Sequence, residues 1–198
     1  MKKLVISSIV IILVAIWCVR FYSVNGTFKV RQKYERIIYS MNEQVDLTES
    51  KSYNGIEQPA YKISVKNARI VERDDYLKEM NKTADDFMGL SERYLELTIR
   101  VENNGDTENL LDLYGLPVLG TNWYTFYDPD ATKYINNFTG EERAKFIKAK
   151  FDGCSTVKIA YRMYWEDFNK RQWNNLDDET MWLSVTLSPV EKRIKIEI

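Results

Sequence analysis

A chain of 198 residues, 44% hydrophobic and 29% charged, has room for one domain with a real core plus an extra segment, and is too apolar to stay disordered. Its formal net charge is −1, and setting aside Lys2, Lys3 and Arg20 of the N-terminal apolar region leaves 25 basic against 29 acidic residues. A mildly acidic domain lacks the phosphate-neutralising surface that nucleic-acid binding needs, and a chain with no histidine supports neither Ser-His-Asp or Cys-His catalysis nor an imidazole zinc site.

Lys2 and Lys3 precede residues 4–19, LVISSIVIILVAIWCV, sixteen uncharged positions of which eleven are Leu, Ile or Val. A helix of that length rises about 24 Å, short of a hydrocarbon core of roughly 30 Å, but Arg20 can snorkel while Phe21 and Tyr22 join Trp17 at the interface. Residues 4–22 are read as the contact with the membrane. The pattern also fits a secretory signal peptide, yet Trp17 before Cys18 departs from lipoprotein processing, and Arg20, Phe21 and Tyr22 sit badly before the weak small-residue site at Val24 and Gly26. An uncleaved, single-pass signal anchor is therefore expected, with the C-terminal domain extracytoplasmic. Arg20, Lys29, Arg31, Lys33 and Arg36 oppose this orientation by charge count; the three-residue tail and the weak charge dependence of long-domain translocation favour it.

After Gly26, Tyr34, Ile37, Ile38 and Met41 fall at i, i+3, i+4 and i+7 and predict a short amphipathic helix or stem. Residues 42–59 turn polar and read as linker around a short strand at Val45 to Leu47. Tyr61, Ile63 and Val65 then alternate, and beyond Lys66 and Asn67 the apolar positions shift to Ala68 and Ile70, which predicts a bulge. Tyr76, Leu77, Met80, Ala84, Phe87 and Met88 recur at helical spacing; Asp74 or Asp75 is expected to cap this helix, Gly89 to end it, and the whole to cap an open end of a sandwich.

The clearest strand is YLELTIRVEN from Tyr94, with Leu95, Leu97, Ile99 and Val101 on one face and Glu96, Thr98, Arg100 and Glu102 expected in water. Asn103 to Asp106 predicts a turn into a second strand holding Leu111 and Leu113. From Leu119 to Tyr127 a strand is aromatic on both faces, Trp123 and Tyr127 one way and Tyr124 and Phe126 the other. One set suffices for a two-layer core, so Tyr124 and Phe126 are the candidate partner-binding residues, beside a loop from Asp128 to Phe138. Asp128, Asp130, Asn136 and Asn137 match no calcium-loop spacing, and Pro129 favours a plain turn.

Apolar register next favours a hairpin with a three-residue loop, Asp152 to Cys154, pairing Ala149 with Val157 and Ile147 with Ile159. Cys154, with no basic neighbour to lower its pKa, is expected as a small buried side chain. Tyr161 and Met163 continue the buried face; Trp165, Phe168, Trp173 and Leu176 fall near helical spacing; Met181, Leu183, Val185 and Leu187 alternate; and Pro189 separates them from a last strand of Ile194, Ile196 and Ile198.

About seven or eight strands without βαβ alternation predict an all-β fold with minor helical insertions, an immunoglobulin-like antiparallel β-sandwich behind one N-terminal transmembrane helix. The division is residues 1–22 anchor, 23–55 juxtamembrane stem and linker, and 56–198 sandwich. The anchor, the YLELTIRVENNGD strand and turn, LLDLYGL and the terminal LSPVEKRIKIEI resemble uncharacterised membrane-anchored cell-envelope proteins of Gram-positive bacteria with a telokin-like, immunoglobulin-related domain of unknown function. That resemblance implies no catalytic residues. No catalytic, cofactor-binding or metal site is expected, and the leading expectation is a non-enzymatic module contacting an envelope protein, peptide or glycan. The alternative is a carboxylate-dependent envelope hydrolase, for which Asp74 with Asp75, Asp85 with Asp86, or Asp177 with Asp178 are candidates; its signature would be a concave pocket holding two carboxylates from different segments together with aromatics.

Overall fold

Period-two alternation carries most of the chain into two facing sheets. The computed structural model describes residues 14–21, 35–103, 111–138, 146–147 and 153–198. The chain divides into two units, Met1–Tyr34 and Glu35–Ile198. In the first, residues 14–21 form a helix, α1, on which Trp17 stacks with Phe21 at 5.3 Å. Positions 4–13 and Tyr22 of the expected anchor lie outside the described residues, and no helix among those described is long and apolar enough to cross a membrane.

The second unit is mostly β, a sandwich of two sheets. Its strands are β1 (Arg36–Tyr39), β2 (Val45–Asp46), β3 (Tyr61–Glu72), β4 (Arg93–Asn103), β5 (Leu111–Asp112), β6 (Val118–Leu119), β7 (Tyr124–Thr125), β8 (Phe146–Ile147), β9 (Cys154–Met163), β10 (Met181–Thr186) and β11 (Glu191–Ile196). One sheet runs β1-β11-β10-β6-β7, the other β2-β3-β4-β9, and β5 pairs with β8 apart from both. Tyr61, Ile63, Val65, Leu95, Leu97, Ile99 and Val101 of one sheet meet Val118, Leu183, Val185 and Ile194 of the other in a single core, all fully buried. The bulge falls where the pattern shift put it, between Val65 and Asn67.

Several local expectations gave way to long-range pairing. Tyr34 lies outside the described residues, while Ile37 and Ile38 lie in a strand, not a helix: β1 runs parallel to β11, and Arg36 binds the nearly buried Glu191 at 2.6 Å. The polar stretch that followed it is part of the sandwich rather than a linker. Ser50, Ser52 and Gln58 are buried, and Lys51 exchanges backbone bonds of 2.8 Å with Leu187 and Ser188. The compact unit therefore opens at Glu35 and not at residue 56. The turn after Asn103 lies outside the described residues from 104 to 110, but β5 does not return along β4; Leu111 pairs with Ile147. Ile147 and Ile159 do not pair as expected: Ile147 lies opposite Leu111, and β9 has β4 on one edge, with Ile159 opposite Leu97, and the helix Pro129–Ile135 on the other; Ala149 is outside the described residues. Cys154, at the start of β9, is exposed.

A third layer covers the outer face of the four-stranded sheet. Helices α2 (Arg73–Glu79) and α3 (Pro129–Ile135) bury Tyr76, Leu77, Met80 and Ala131 against Tyr94 and Ala160, which alternate with the core-facing residues of β4 and β9. So α2 lies on a sheet face, not over an open end. It starts at Glu72 with no side-chain cap, Asp74 and Asp75 sitting in its first turn, and it stops at Asn81, whose φ of 53° is the left-handed conformation that asparagine tolerates. Of the residues expected in water on the outer face of β4, Arg100 is exposed and Thr98 and Glu102 half-exposed, but this layer covers Glu96. Glu96 is 2% exposed and accepts from Arg69 Nε and Nη2 and from Tyr76 Oη, each at 3.0 Å, with Lys158 Nζ at 3.3 Å.

The segment after β9 closes the end of the core. Phe168 and Leu176 are buried as expected, with Phe168 against Trp123 at 4.8 Å, while Trp165 is 48% exposed and the helical spacing is broken into a short α-helix, α4 (Lys170–Asn174), between single 3-10 turns at Trp165–Asp167 and Leu176–Asp178.

Candidate functional site

The loop expected after Tyr127 is instead α3, and the reason is local. Asp128 Oδ1 accepts from the backbone of Asp130 at 2.9 Å and Ala131 at 3.1 Å, and Pro129 occupies the first helical turn, where its missing N–H costs nothing. The other oxygen, Oδ2, receives Arg162 Nε at 2.7 Å. Asp128 is completely buried, so its charge is spent on the helix cap and on Arg162, and that hydrogen bond holds the guanidinium well above its ordinary pKa.

Helix α3 also seals the free edge of β9. Asn136 offers its side-chain amide as a substitute strand, accepting from Lys158 N at 2.9 Å and donating to Lys158 O at 2.6 Å. Ala160 N donates to Thr132 Oγ1 at 3.1 Å, Ala160 O accepts from Asp128 N at 2.7 Å, and Thr125 Oγ1 donates to Arg162 O at 2.6 Å. An edge satisfied in this way offers no ladder to another chain.

Where this sealed edge ends, a groove of about 570 Å³ opens. Tyr124, Thr125, Phe126 and Tyr127 form one wall and Pro129 and Asp130 the entry to α3; Arg162, Tyr164 and Asp167 follow from β9 and the turn beyond it, with Met88 at the rim. Met88 N donates to Asp130 Oδ2 at 3.3 Å, which ties the rim to the helix entry. The expected split of aromatic faces is present: Trp123 and Tyr127 are buried in the core, whereas Tyr124 is 61% and Phe126 39% exposed. They are not in one long strand, because the chain turns at Gly120, whose Cα lies under the Trp123 indole so closely that a Cβ would stand 2.1 Å from it. Phe126 meets Tyr124 edge-on at 5.6 Å and Tyr53 at 6.3 Å, so the exposed rings brace one another.

Arg162, Tyr164 and Asp167 were not singled out in the sequence, and Met88 was read only as part of a helical stripe. The signal available was the alternation of β9, which puts Arg162 on the outer face beside Ala160; nothing local connects it to Tyr124. Of the carboxylate pairs, Asp74 binds Arg73 and Asp75 binds Lys78, all exposed; Asp85 with Asp86 and Asp177 with Asp178 are also at the surface, and none lines the groove. A second cleft of about 460 Å³ is lined by Asn169, Arg171, Gln172, Asn175, Asp178 and Glu179 and holds no aromatic side chain; Gln172 Nε2 donates to Glu179 Oε2 at 3.2 Å and to Asn122 Oδ1 at 3.0 Å. Among the described residues no three acidic or cysteine side chains gather as metal ligands.

A family model described as a domain of unknown function, DUF5028, matches residues 36–192. An uncharacterised beta-sandwich protein from Clostridium difficile 630 is similar in structure with a TM-score of 0.40 and 12% identity, covering 84% of this chain and 99% of that one. No curated protein matches the chain.

Proposed function

The chain belongs to the DUF5028 family, and we propose that it is a non-enzymatic, membrane-anchored extracytoplasmic module of a Gram-positive cell envelope, holding a partner protein, peptide or glycan in the groove beside Tyr124 and Phe126. The sandwich is read as immunoglobulin-like from its strand rhythm, and residues 4–22 as the anchor from their unbroken apolar run. The observation that carries the binding role is the pair of exposed rings. Tyr124 and Phe126 are not needed by the core, are held edge-to-face, and stand on a wall whose other side is fixed in the sandwich by Trp123 and Tyr127. Rigid aromatic area of this kind suits a binding hot spot, where one such side chain contributes upwards of about 2 kcal/mol.

The hydrolase reading has one observation in its favour, since Asp130 and Asp167 reach the groove from different segments. Asp167 is exposed and Asp130 half-exposed, and neither is enclosed by apolar side chains as one carboxyl of a catalytic pair is. Capture from solubilised envelope by the full chain, compared with Tyr124→Ala/Phe126→Ala, tests the proposal. A specific partner lost with an unchanged melting temperature supports it; capture that the double variant leaves intact sinks it.

A further inference from the structure

We infer that the groove is specific for cations, and that its occupant is a lysine- or arginine-bearing peptide segment; this rests on the binding-module reading and names its ligand class. Two kinds of group line the groove walls, π faces and carboxylates. Tyr124 and Phe126 present rings to solvent, Tyr164 adds a third, and Asp130 and Asp167 stand at the helix entry and on the opposite turn. The positive group lining the groove, Arg162, is neutralised from below: its Nε is held by Asp128, whose other oxygen caps α3. The charge left for a ligand to meet is negative.

Rings flanked by carboxylates favour an ammonium or guanidinium over a neutral or anionic group. The ring quadrupole attracts the cation over its face, and the carboxylates complete a charge-assisted bond at its edge. A neutral glycan would draw on the rings but gain little from the two negative charges, and an anionic polymer would be repelled by them. Asp130 Oδ2 already takes a weak bond from Met88 N, whereas the Asp167 side chain makes no hydrogen bond or ion pair among the described residues, so its acceptor capacity is left for the groove.

The test is calorimetric titration of the full chain in neutral detergent with three probes: an acetylated, amidated nonapeptide of alternating lysine and glycine, its glutamate counterpart, and a chitin oligosaccharide. The lysine peptide is expected to bind and the glutamate peptide not to. Asp130→Asn/Asp167→Asn, which keeps both acceptors and removes both charges, is expected to weaken binding about tenfold. Tyr124→Leu/Phe126→Leu, which keeps apolar area and removes the π faces, is expected to weaken it about fivefold. Asp177→Asn/Asp178→Asn removes the same charge elsewhere and is expected to change nothing. Equal binding of the two peptides, an affinity insensitive to Asp130 and Asp167, or binding of the oligosaccharide alone overturns the inference. If the lysine peptide fails while Tyr124→Ala/Phe126→Ala still loses its envelope partner, cation specificity falls and the module survives.

Discussion

Glu96→Gln is the most incisive single perturbation of the three-layer arrangement. Glu96 lies under α2 with both oxygens engaged, by Arg69 twice, by Tyr76 and by Lys158. Glutamine keeps the shape and one acceptor but withdraws the charge from a site 2% exposed. Breaking a buried pair by removing one partner costs about 3–5 kcal/mol where the remaining charge is stranded. Here it is not fully stranded, because Arg69 retains Glu79 at 2.6 Å and Lys158 is 40% exposed and can rehydrate, so the expected loss is about 2–3 kcal/mol. Urea melts of the full chain in neutral detergent measure it, with Asp177→Asn as an exposed control expected within about 0.5 kcal/mol. The acid limb gives a second reading. Burial alone would raise the Glu96 pKa, but Arg69, Lys158 and Tyr76 outweigh it and hold it below the ordinary 4.5. Its stabilisation is thus complete above 4.5 and is lost as pH falls through the depressed folded value; the variant should lack that component of the acid transition. A loss no larger than the control's, or an unchanged acid limb, would refute the account of Glu96 as the tie between α2 and the sheet.

Two further outcomes follow from the same packing. Ile99→Ala empties fully buried volume between the sheets and should cost about 2–5 kcal/mol, whereas Thr98→Ala, on the half-covered outer face, should cost well under half of that in the same urea melt; equal losses would mean that both faces are equally packed. Asn136→Ala strips both side-chain bonds from Lys158 and should raise amide exchange of Lys158 above that of Val157, which pairs inward with Ile99; equal protection at the two amides would show that the edge is sealed by something other than Asn136.

The strands that the sequence made visible are those in which one face is entirely core. Leu95 to Val101, Tyr61 to Ile70 with its bulge, Met181 to Val185 and Ile194 to Ile196 each announce themselves by alternation, because burial on one side imposes the period. The expectations that failed are those decided by a distant partner. Ile37 and Ile38 sit side by side and serve a helical stripe or a strand equally well; their pairing with Lys192 and Arg193 has no local trace. The apolar match between residues 146–149 and 157–159 is genuine, but β4 takes one edge of β9, α3 takes the other, and Ile147 pairs with Leu111. The α2 stripe runs on in sequence past Met80, yet the helix stops there because Asn81 takes the left-handed conformation; of the apolar residues beyond it, Phe87 packs edge-on to Tyr134 at 5.3 Å, while Ala84 and Met88 are exposed. Tyr124 and Phe126 were legible as surplus, and Asp130 lies in the stretch expected beside them; Arg162 and Asp167 were not legible, since they arrive from a segment distant in sequence.

One residue links the covering of the sheet to the opening of the groove. Asp128 ends the Tyr124 wall, starts α3 and fixes Arg162, so the helix that closes the β9 edge and the floor on which a ligand would rest are set by the same buried carboxylate. An edge closed by a helix instead of by another strand leaves the sheet corner uncovered where the helix begins, and that corner is the groove. The surplus aromatics stand at this corner rather than along the sheet faces. Elsewhere on the four-stranded sheet α2 and α3 have taken the outer face, and a ring placed there, such as Tyr76 or Tyr94, is buried. Tyr124 and Phe126 stay exposed because they stand where the third layer stops, which is why binding is proposed at this corner and not on the covered sheet face or the sealed strand edge.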